Sequence, residues 1–378
     1  MRLLRGSFVL LLLVGLSGSF AGTAVATPST YRVQLDAMPP AGEPWAFLRL
    51  FPKVIKVHRN DVVQFAWAGT DTPHTATVVP APDAATWRAT NQGPGGPFED
   101  PIVDTSIGGD DGELIENPSV VFPSSFGCGT AAMPCLFKGT SVVSSGLQFS
   151  NPGAQPSFDV RMEAPVGRYS FLCLLHPGME IPVDVVTNGT SIPGPAGVDK
   201  RAANQVARAI AVDGAAADAQ AQTVTAKAVE GGNTRYDMSA GGFSNGATAN
   251  EFLDHPLRVH VGDKIRYSGT SEIHTVTFPM SKFKTVPFIV TQCEVPGPDT
   301  PAASPLDCAD PSKFEVALNG KAISPTMARG LTNPHRFLNS GLLAGPVQHT
   351  FIAKEPGTYT FVCLVHGPEM SSTIRVVA

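Results

Sequence analysis

Gly167-Arg168-Tyr169-Ser170-Phe171-Leu172-Cys173-Leu174-Leu175-His176-Pro177-Gly178-Met179 is the stretch on which the reading of this chain turns. Tyr169, Phe171 and Cys173 alternate with Arg168, Ser170 and Leu172, the period of two of a half-buried strand. The strand runs into a Pro-Gly loop that brings a thiol, an imidazole and a thioether close together in sequence. Cys, His and a weakly held Met are soft-to-intermediate metal ligands, and a copper set of this kind lacks only a second His. The string recurs as Gly357-Thr358-Tyr359-Thr360-Phe361-Val362-Cys363-Leu364-Val365-His366 and closes at Met370.

Working outward, the rest of the chain repeats as well. The first copy has an alternating strand at Tyr31-Arg32-Val33-Gln34-Leu35, then Val54 to Val57, then the turn Asn60-Asp61 feeding Val62 to Trp67, then Pro73-His74-Thr75-Ala76-Thr77-Val78. The second offers Leu257 to Val261, the turn Gly262-Asp263 feeding Lys264 to Tyr267, and Ile273-His274-Thr275-Val276-Thr277-Phe278. Order, residue type and approximate interval agree. The 378 residues suit two domains at roughly 100–200 residues each. Thirty-seven glycines and 34 prolines without a fixed period favour many short strands over long helices. The expectation is all-β: two β-sandwiches, over residues 28–187 and 233–378.

Between each His strand and Cys strand lies a long irregular region, at 80–127 and 279–345, of a length that is uncommon inside a compact domain. Cys128, Cys135, Cys293 and Cys308 fall near these regions and allow three disulfide connectivities. Local pairing, Cys128 with Cys135 and Cys293 with Cys308, is preferred because each pair holds a similar place in its repeat. A second metal site is the rival, but neither pair has a nearby His or a C-x2-C spacing. Residues 188–232 read as a linker, with a short helix expected over Val198 to Ile210. Gly214 to Gln222 reads as more helix or linker, and Thr223 to Val229 as a possible opening strand of the second copy.

The first 26 residues carry Arg2 and Arg5, an apolar run from Phe8 to Leu16, and Ala24-Val25-Ala26, the pattern of a cleaved secretory signal. The apolar run is short for a membrane span, so no stable membrane insertion is expected after cleavage. Paired cysteines fit the same oxidising, extracytoplasmic setting: secreted, periplasmic or cell-surface. A net charge of −5 offers no basic footprint for nucleic acid.

On Pro73-His74-Thr75 with Cys173-x2-His176-x2-Met179, and Ile273-His274-Thr275 with Cys363-x2-His366-x3-Met370, the chain resembles two tandem cupredoxin domains of the plastocyanin and amicyanin type. The resemblance covers most of 28–187 and 233–378 and implies two Greek-key β-sandwiches, each with a type 1 blue copper site. It places one copper on His74, Cys173, His176 and axial Met179, and the other on His274, Cys363, His366 and axial Met370. The family often has Asn directly after the first His, tying the Cys loop to the His strand; here Thr75 and Thr275 stand there.

A mononuclear copper closed by four protein ligands suits one-electron transfer rather than catalysis, and no catalytic residue is expected. Leu174, Leu175, Pro177, Leu364 and Val365 are expected to form an apolar contact patch for transient redox protein partners. The rival is a copper oxidoreductase of the nitrite reductase or multicopper oxidase kind, which needs extra histidines. The Cys173 neighbours are Leu172 and Leu174, those of Cys363 are Val362 and Leu364, and no His-x-His pair occurs. A third reading is copper binding without redox, or a β-sandwich used only for binding.

Overall fold

The computed structural model describes residues 27–68, 72–93, 95–99, 114–115, 117–148, 156–293, 300–301, 308–309 and 314–378. The expected signal segment, 1–26, lies outside them.

Alternation in the first copy builds two five-stranded sheets. One runs in the order Leu50–Phe51, Thr30–Leu35, Val62–Trp67, Ser157–Met162, Cys135–Phe137. The other runs Ile55–His58, Glu180–Val186, Gly167–Leu172, His74–Val79, Val143–Gln148. Between them lies one core to which both sheets contribute, including Val33 and Phe65 from the first and Val78 and Phe171 from the second. The rings of Phe65 and Phe171 meet edge-on at 4.9 Å, and each such buried ring contributes roughly 1.5–3 kcal/mol of apolar transfer free energy.

The second copy repeats this arrangement except at one edge strand, which follows the opening strand in the first copy and precedes it in the second. Its sheets run Thr225–Ala228, Thr234–Ser239, Lys264–Ser268, Gln348–Ala353, Gly330–Leu331, and Leu257–His260, Gly367–Val377, Gly357–Cys363, Thr277–Phe278, Leu338–Asn339. The opening strand pairs in parallel with the strand after the Asp turn in both copies. The turn aspartates do identical work: Asp61 accepts from the N–H groups of Ser29 and His58, and Asp263 from those of Thr234 and His260. Two all-β sandwiches in tandem are what the repeat predicts.

Three features depart from the sequence reading or go beyond it. Simple alternation fails on the Cys strand, where Leu172 is as buried as Phe171. The reason lies in the first irregular region, whose helix Ala84–Asn91 packs Trp87 on Leu172 and Leu174 and so covers the sheet's outer face. In the second copy Val286, Ala322 and the partly buried Phe283 cover Val362 and Leu364 in the same way. Leu174 and Leu364 therefore do not belong to an exposed patch, contrary to expectation; each is buried under its own insertion.

The linker is also longer in helix than Val198 to Ile210: Pro195–Arg208 continues through a π-helical turn at Ala209–Gly214 into Ala215–Ala221. It is docked, because Ala202, Ala209, Ala217 and Ala221 pack on Phe47, Phe51, Ala247 and Ala249. Thr225–Ala228 is a strand within the stretch expected to be one, but it lies at the sheet edge, and the opening place is taken by Thr234–Ser239. Finally, the two halves share sheets. Trp45–Phe47 pairs with Ala247–Ala249, and Leu114–Ile115 with Phe314–Leu318. The described residues form both local disulfides, Cys128–Cys135 and Cys293–Cys308.

The joint between linker and sheet has no spare room. A Cβ on Gly242 would sit 1.8 Å from the backbone oxygen of Ala217, and backbone cannot swing aside. Gly242→Ala should lower stability by about 1–3 kcal/mol, read from thermal or denaturant unfolding. Gly189→Ala, which meets nothing within 4 Å, should leave the transition where it is; equal effects from the two would contradict this packing.

Candidate metal centres

His74 opens the strand His74–Val79, every residue of which is buried. Cys173 directly follows the neighbouring strand Gly167–Leu172, and antiparallel pairing of the two strands carries His74 toward the loop after the cysteine. That loop is closed by its own backbone: Cys173 N–H donates to the Met179 carbonyl at 3.0 Å and Met179 N–H to the His176 carbonyl at 3.1 Å. Gly178 makes the tight return possible with a φ of 84°, open to glycine at little cost.

The loop sets His176 Nδ1 3.1 Å from His74 Nδ1, with Cys173 Sγ 3.6 Å from the former and 3.9 Å from the latter. Met179 is fully buried in the same core cluster as Cys173. In the second copy Cys363 Sγ lies 3.5 Å from His366 Nδ1, the rings of His274 and His366 are 4.8 Å apart, and Met370 is buried with Cys363. His74, Cys173 and His176 form one group with all ligand atoms within 4.8 Å, and His274, Cys363 and His366 form another. Every sequence-expected ligand thus lies in its own cluster or, for the methionines, in the core beside it.

Each site carries the same frame. Thr75 N–H points at Cys173 Sγ at 3.4 Å, while Thr75 Oγ1 accepts from Leu174 N–H at 2.7 Å. Thr275 repeats both contacts, at 3.4 Å to Cys363 Sγ and 2.8 Å from Leu364 N–H. Threonine in the place where the family often has Asn thus ties loop to strand through its hydroxyl. One residue on, Ser145 Oγ accepts from Ala76 N–H and Ser340 Oγ from Val276 N–H.

The electrostatics suit a thiolate ligand. Burial pushes the Cys173 thiol up, but His176 and His74 beside it outweigh burial and hold it well below the usual thiol range. His366 and His274 do the same for Cys363. Burial works against a charged His74, yet the hydrogen bonds to Asp36 and Cys173 lift it to about 9. His274 goes the other way: burial lowers it and outweighs the Cys363 sulfur beside it, and its Nε2 has no hydrogen-bond partner. Two imidazole nitrogens and one cysteine sulfur converging in each domain are a donor set that fits copper.

Several residues at the sites carried no sequence signal. Asp36 is fully buried; its Oδ1 accepts from the N–H groups of Ala37 and Phe47, and its Oδ2 lies 3.2 Å from His74 Nε2. Arg88, from the insertion helix, donates to the Cys173 carbonyl at 2.6 Å and pairs with Glu180 at 3.1 Å. Glu272 comes from the second domain yet approaches the first site, its Oε1 3.8 Å from His176 Nε2. Burial lowers His366, but the Cys363 thiolate and then Glu272 outweigh it and raise the ring. Both loop histidines therefore open on one cleft of about 1210 Å³ between the domains, lined by Leu175, His176, Pro177, Glu272, Val365 and His366. Of the apolar residues expected to form a contact patch, only Leu175, Pro177 and Val365 reach that cleft.

No family model matches the chain, and no curated protein is a detectable relative. Among solved structures, the dithionite-reduced auracyanin of Roseiflexus castenholzii is similar at 14% identity and a TM-score of 0.24, over 42% of this chain and 97% of its own. A copper nitrite reductase from Thermus scotoductus is similar at 14% identity and 0.22, over 93% and 68%. A blue copper oxidase from Nitrosomonas europaea gives 13% and 0.21, over 93% and 86%. Likenesses of this size decide nothing about the sites, whose description rests on the geometry above.

Thr75→Val keeps the side chain's shape but removes the acceptor for a buried N–H, a loss worth about 1–3 kcal/mol. The variant should unfold at lower temperature and release copper faster than the parent. Unchanged stability together with unchanged release would show that the hydroxyl does not hold the loop.

Proposed function

We propose that this chain is an exported electron-transfer protein with one type 1 copper in each domain. The observation that carries the reading is the duplicated cluster: two imidazole nitrogens and one cysteine sulfur converge in each domain, beside a buried methionine. His74, Cys173 and His176, with axial Met179, would hold one ion, and His274, Cys363 and His366, with axial Met370, the other. When bound there, copper supplies a reversible one-electron couple.

The protein's part is to hold both ligand sets still. The Thr75 and Thr275 ties, the closed loop after each Cys and the covered outer face of each Cys strand keep ligand positions independent of oxidation state. Exclusion of water by Trp87 and Leu174 on one side, and by Val286 and Leu364 on the other, keeps the thiolates from solvent. Among the described residues no helix is long and apolar enough to cross a membrane, and the two disulfides suit an oxidising compartment. Transient redox proteins, approaching along the cleft edge at Leu175, Pro177 and Val365, are the proposed partners.

A catalytic copper in the cleft is the second reading. What favours it is Glu272, whose Oε2 is buried without a hydrogen-bond partner while Oε1 faces His176 Nε2. Metal analysis with visible spectroscopy separates the two. Copper-loaded protein should contain two coppers per chain and show the intense thiolate-to-copper band, and Cys173→Ser or Cys363→Ser should each remove one copper and part of the band. A colourless two-copper protein would sink electron transfer through type 1 sites; a third copper per chain would favour the catalytic reading.

A further inference from the structure

The two ligand sets match in residue type and order, and they part behind the first histidine. In the first domain the chain leaves the opening strand at Leu35, paired with Trp67, and bends through Asp36 in the left-handed region at φ 64°. The bend aims the Asp36 carboxylate at His74 Nε2, 3.2 Å away, and anchors it by two backbone N–H groups at 2.6 Å each. In the second domain the chain leaves the corresponding strand at Ser239, paired with Ser268, and bends through Ala240 and Gly241, the latter at φ 74°. Neither has a polar side chain. A Cβ on Gly241 would lie only 2.7 Å from His274 Nε2, so backbone fills the space, and that nitrogen is buried without a partner.

We propose that Asp36, acting through His74, makes the Cys173 centre the lower-potential member of an unequal pair, and that the bare bend at Ala240-Gly241 leaves the Cys363 centre the higher. A carboxylate accepting from the far nitrogen of a ligating His fixes the ring and raises its basicity. It also places negative charge beside the metal in a medium of low dielectric. Both effects favour Cu(II), the ion of higher charge, over Cu(I), and so lower the reduction potential. Other charges near the sites do not cancel the difference. Arg88 at the Cys173 loop is paired with Glu180. Glu272 stands between the centres, against His176 and within reach of His366, and biases both the same way. Among the described residues, Asp36 is the carboxylate that reaches a first histidine, and it does so at one centre only. In a protein holding two coppers and one electron, that electron rests on the Cys363 ligand set, which gives the pair a direction: in at Cys173, out at Cys363.

The assignment rests on the electron-transfer reading, and the test keeps the two apart. Copper-loaded protein is titrated with a one-electron mediator couple while the visible band and the Cu(II) paramagnetic resonance signal are followed. Cys173→Ser and Cys363→Ser proteins supply the signature of each centre alone. The wild-type protein, which needs no variant to fold, should reduce in two steps, Cys363 centre first. Asp36→Asn keeps the Oδ1 acceptor for Ala37 and Phe47 but removes the charge. It should raise the potential of the Cys173 centre only, by at least a tenfold change in Cu(II) over Cu(I) preference, about 59 mV for one electron. Tenfold is the low end of what losing such a partner costs in metal affinity. Competition against a Cu(I)-selective chelator gives a second readout, in which Cu(I) retention at that centre should be little changed. Equal potentials in the wild type, the opposite order, or an Asp36→Asn protein with unmoved potential would overturn the assignment while leaving two blue centres standing. Absence of the visible band would overturn the electron-transfer reading and this assignment with it.

Discussion

A buried thiolate is the constraint on which this molecule depends. Taking a charged sulfur out of water is costly unless other groups answer its charge. In each domain three do so: two imidazoles, their ligand atoms within 4.8 Å of the sulfur, and the N–H of the threonine that follows the first histidine. The first histidine and its threonine come from a strand far from the cysteine in sequence, so they meet it only if the sheet forms, in register, with the His strand beside the Cys strand. The β-sandwich is the device that brings them together, and the aromatic cores around Phe65 and Phe171, and around Tyr267, Phe351 and Phe361, hold the register.

The long insertions acquire a purpose in this light. A strand that carries a metal-ligating cysteine needs both faces dry, but a two-sheet sandwich covers only one. Helix Ala84–Asn91 covers the outer face in the first domain, and Arg88 and Gln92 from the same helix hold the carbonyls of Cys173 and Leu174. The second domain reaches a similar cover with Phe283, Val286 and Ala322 and no equivalent arginine clamp among the described residues. Shared sheets and the docked helix Pro195–Arg208 then fix the domains so that His176 and His366 face one cleft, which separate beads on a linker would not do.

Much of this was legible in the chain. The ligand types and their order stand in two short strings, the repeat confirms each string by the other, and the paired cysteines sit where local bridges close. Thr75 and Thr275 were visible as departures, and the hydroxyl does the tying expected of the family's Asn. Legibility stopped where a partner is distant and carries no motif. Asp36 follows an ordinary strand, Glu272 belongs to the other domain, and Arg88 sits in an irregular region, so nothing local marks them as neighbours of copper ligands. The error over Leu174 and Leu364 has the same origin. An apolar residue beside a loop reads as a contact patch until the segment that covers it is known.

X-ray absorption at the copper edge of the fully loaded protein tests the central claim most directly, because it reports the atoms around the metal and nothing else. The account predicts one short sulfur contact and two nitrogen contacts per copper at both centres, with Cys173→Ser and Cys363→Ser each leaving the same shell at the remaining copper. A shell dominated by oxygen, or one with three or more nitrogens and no sulfur, would contradict it.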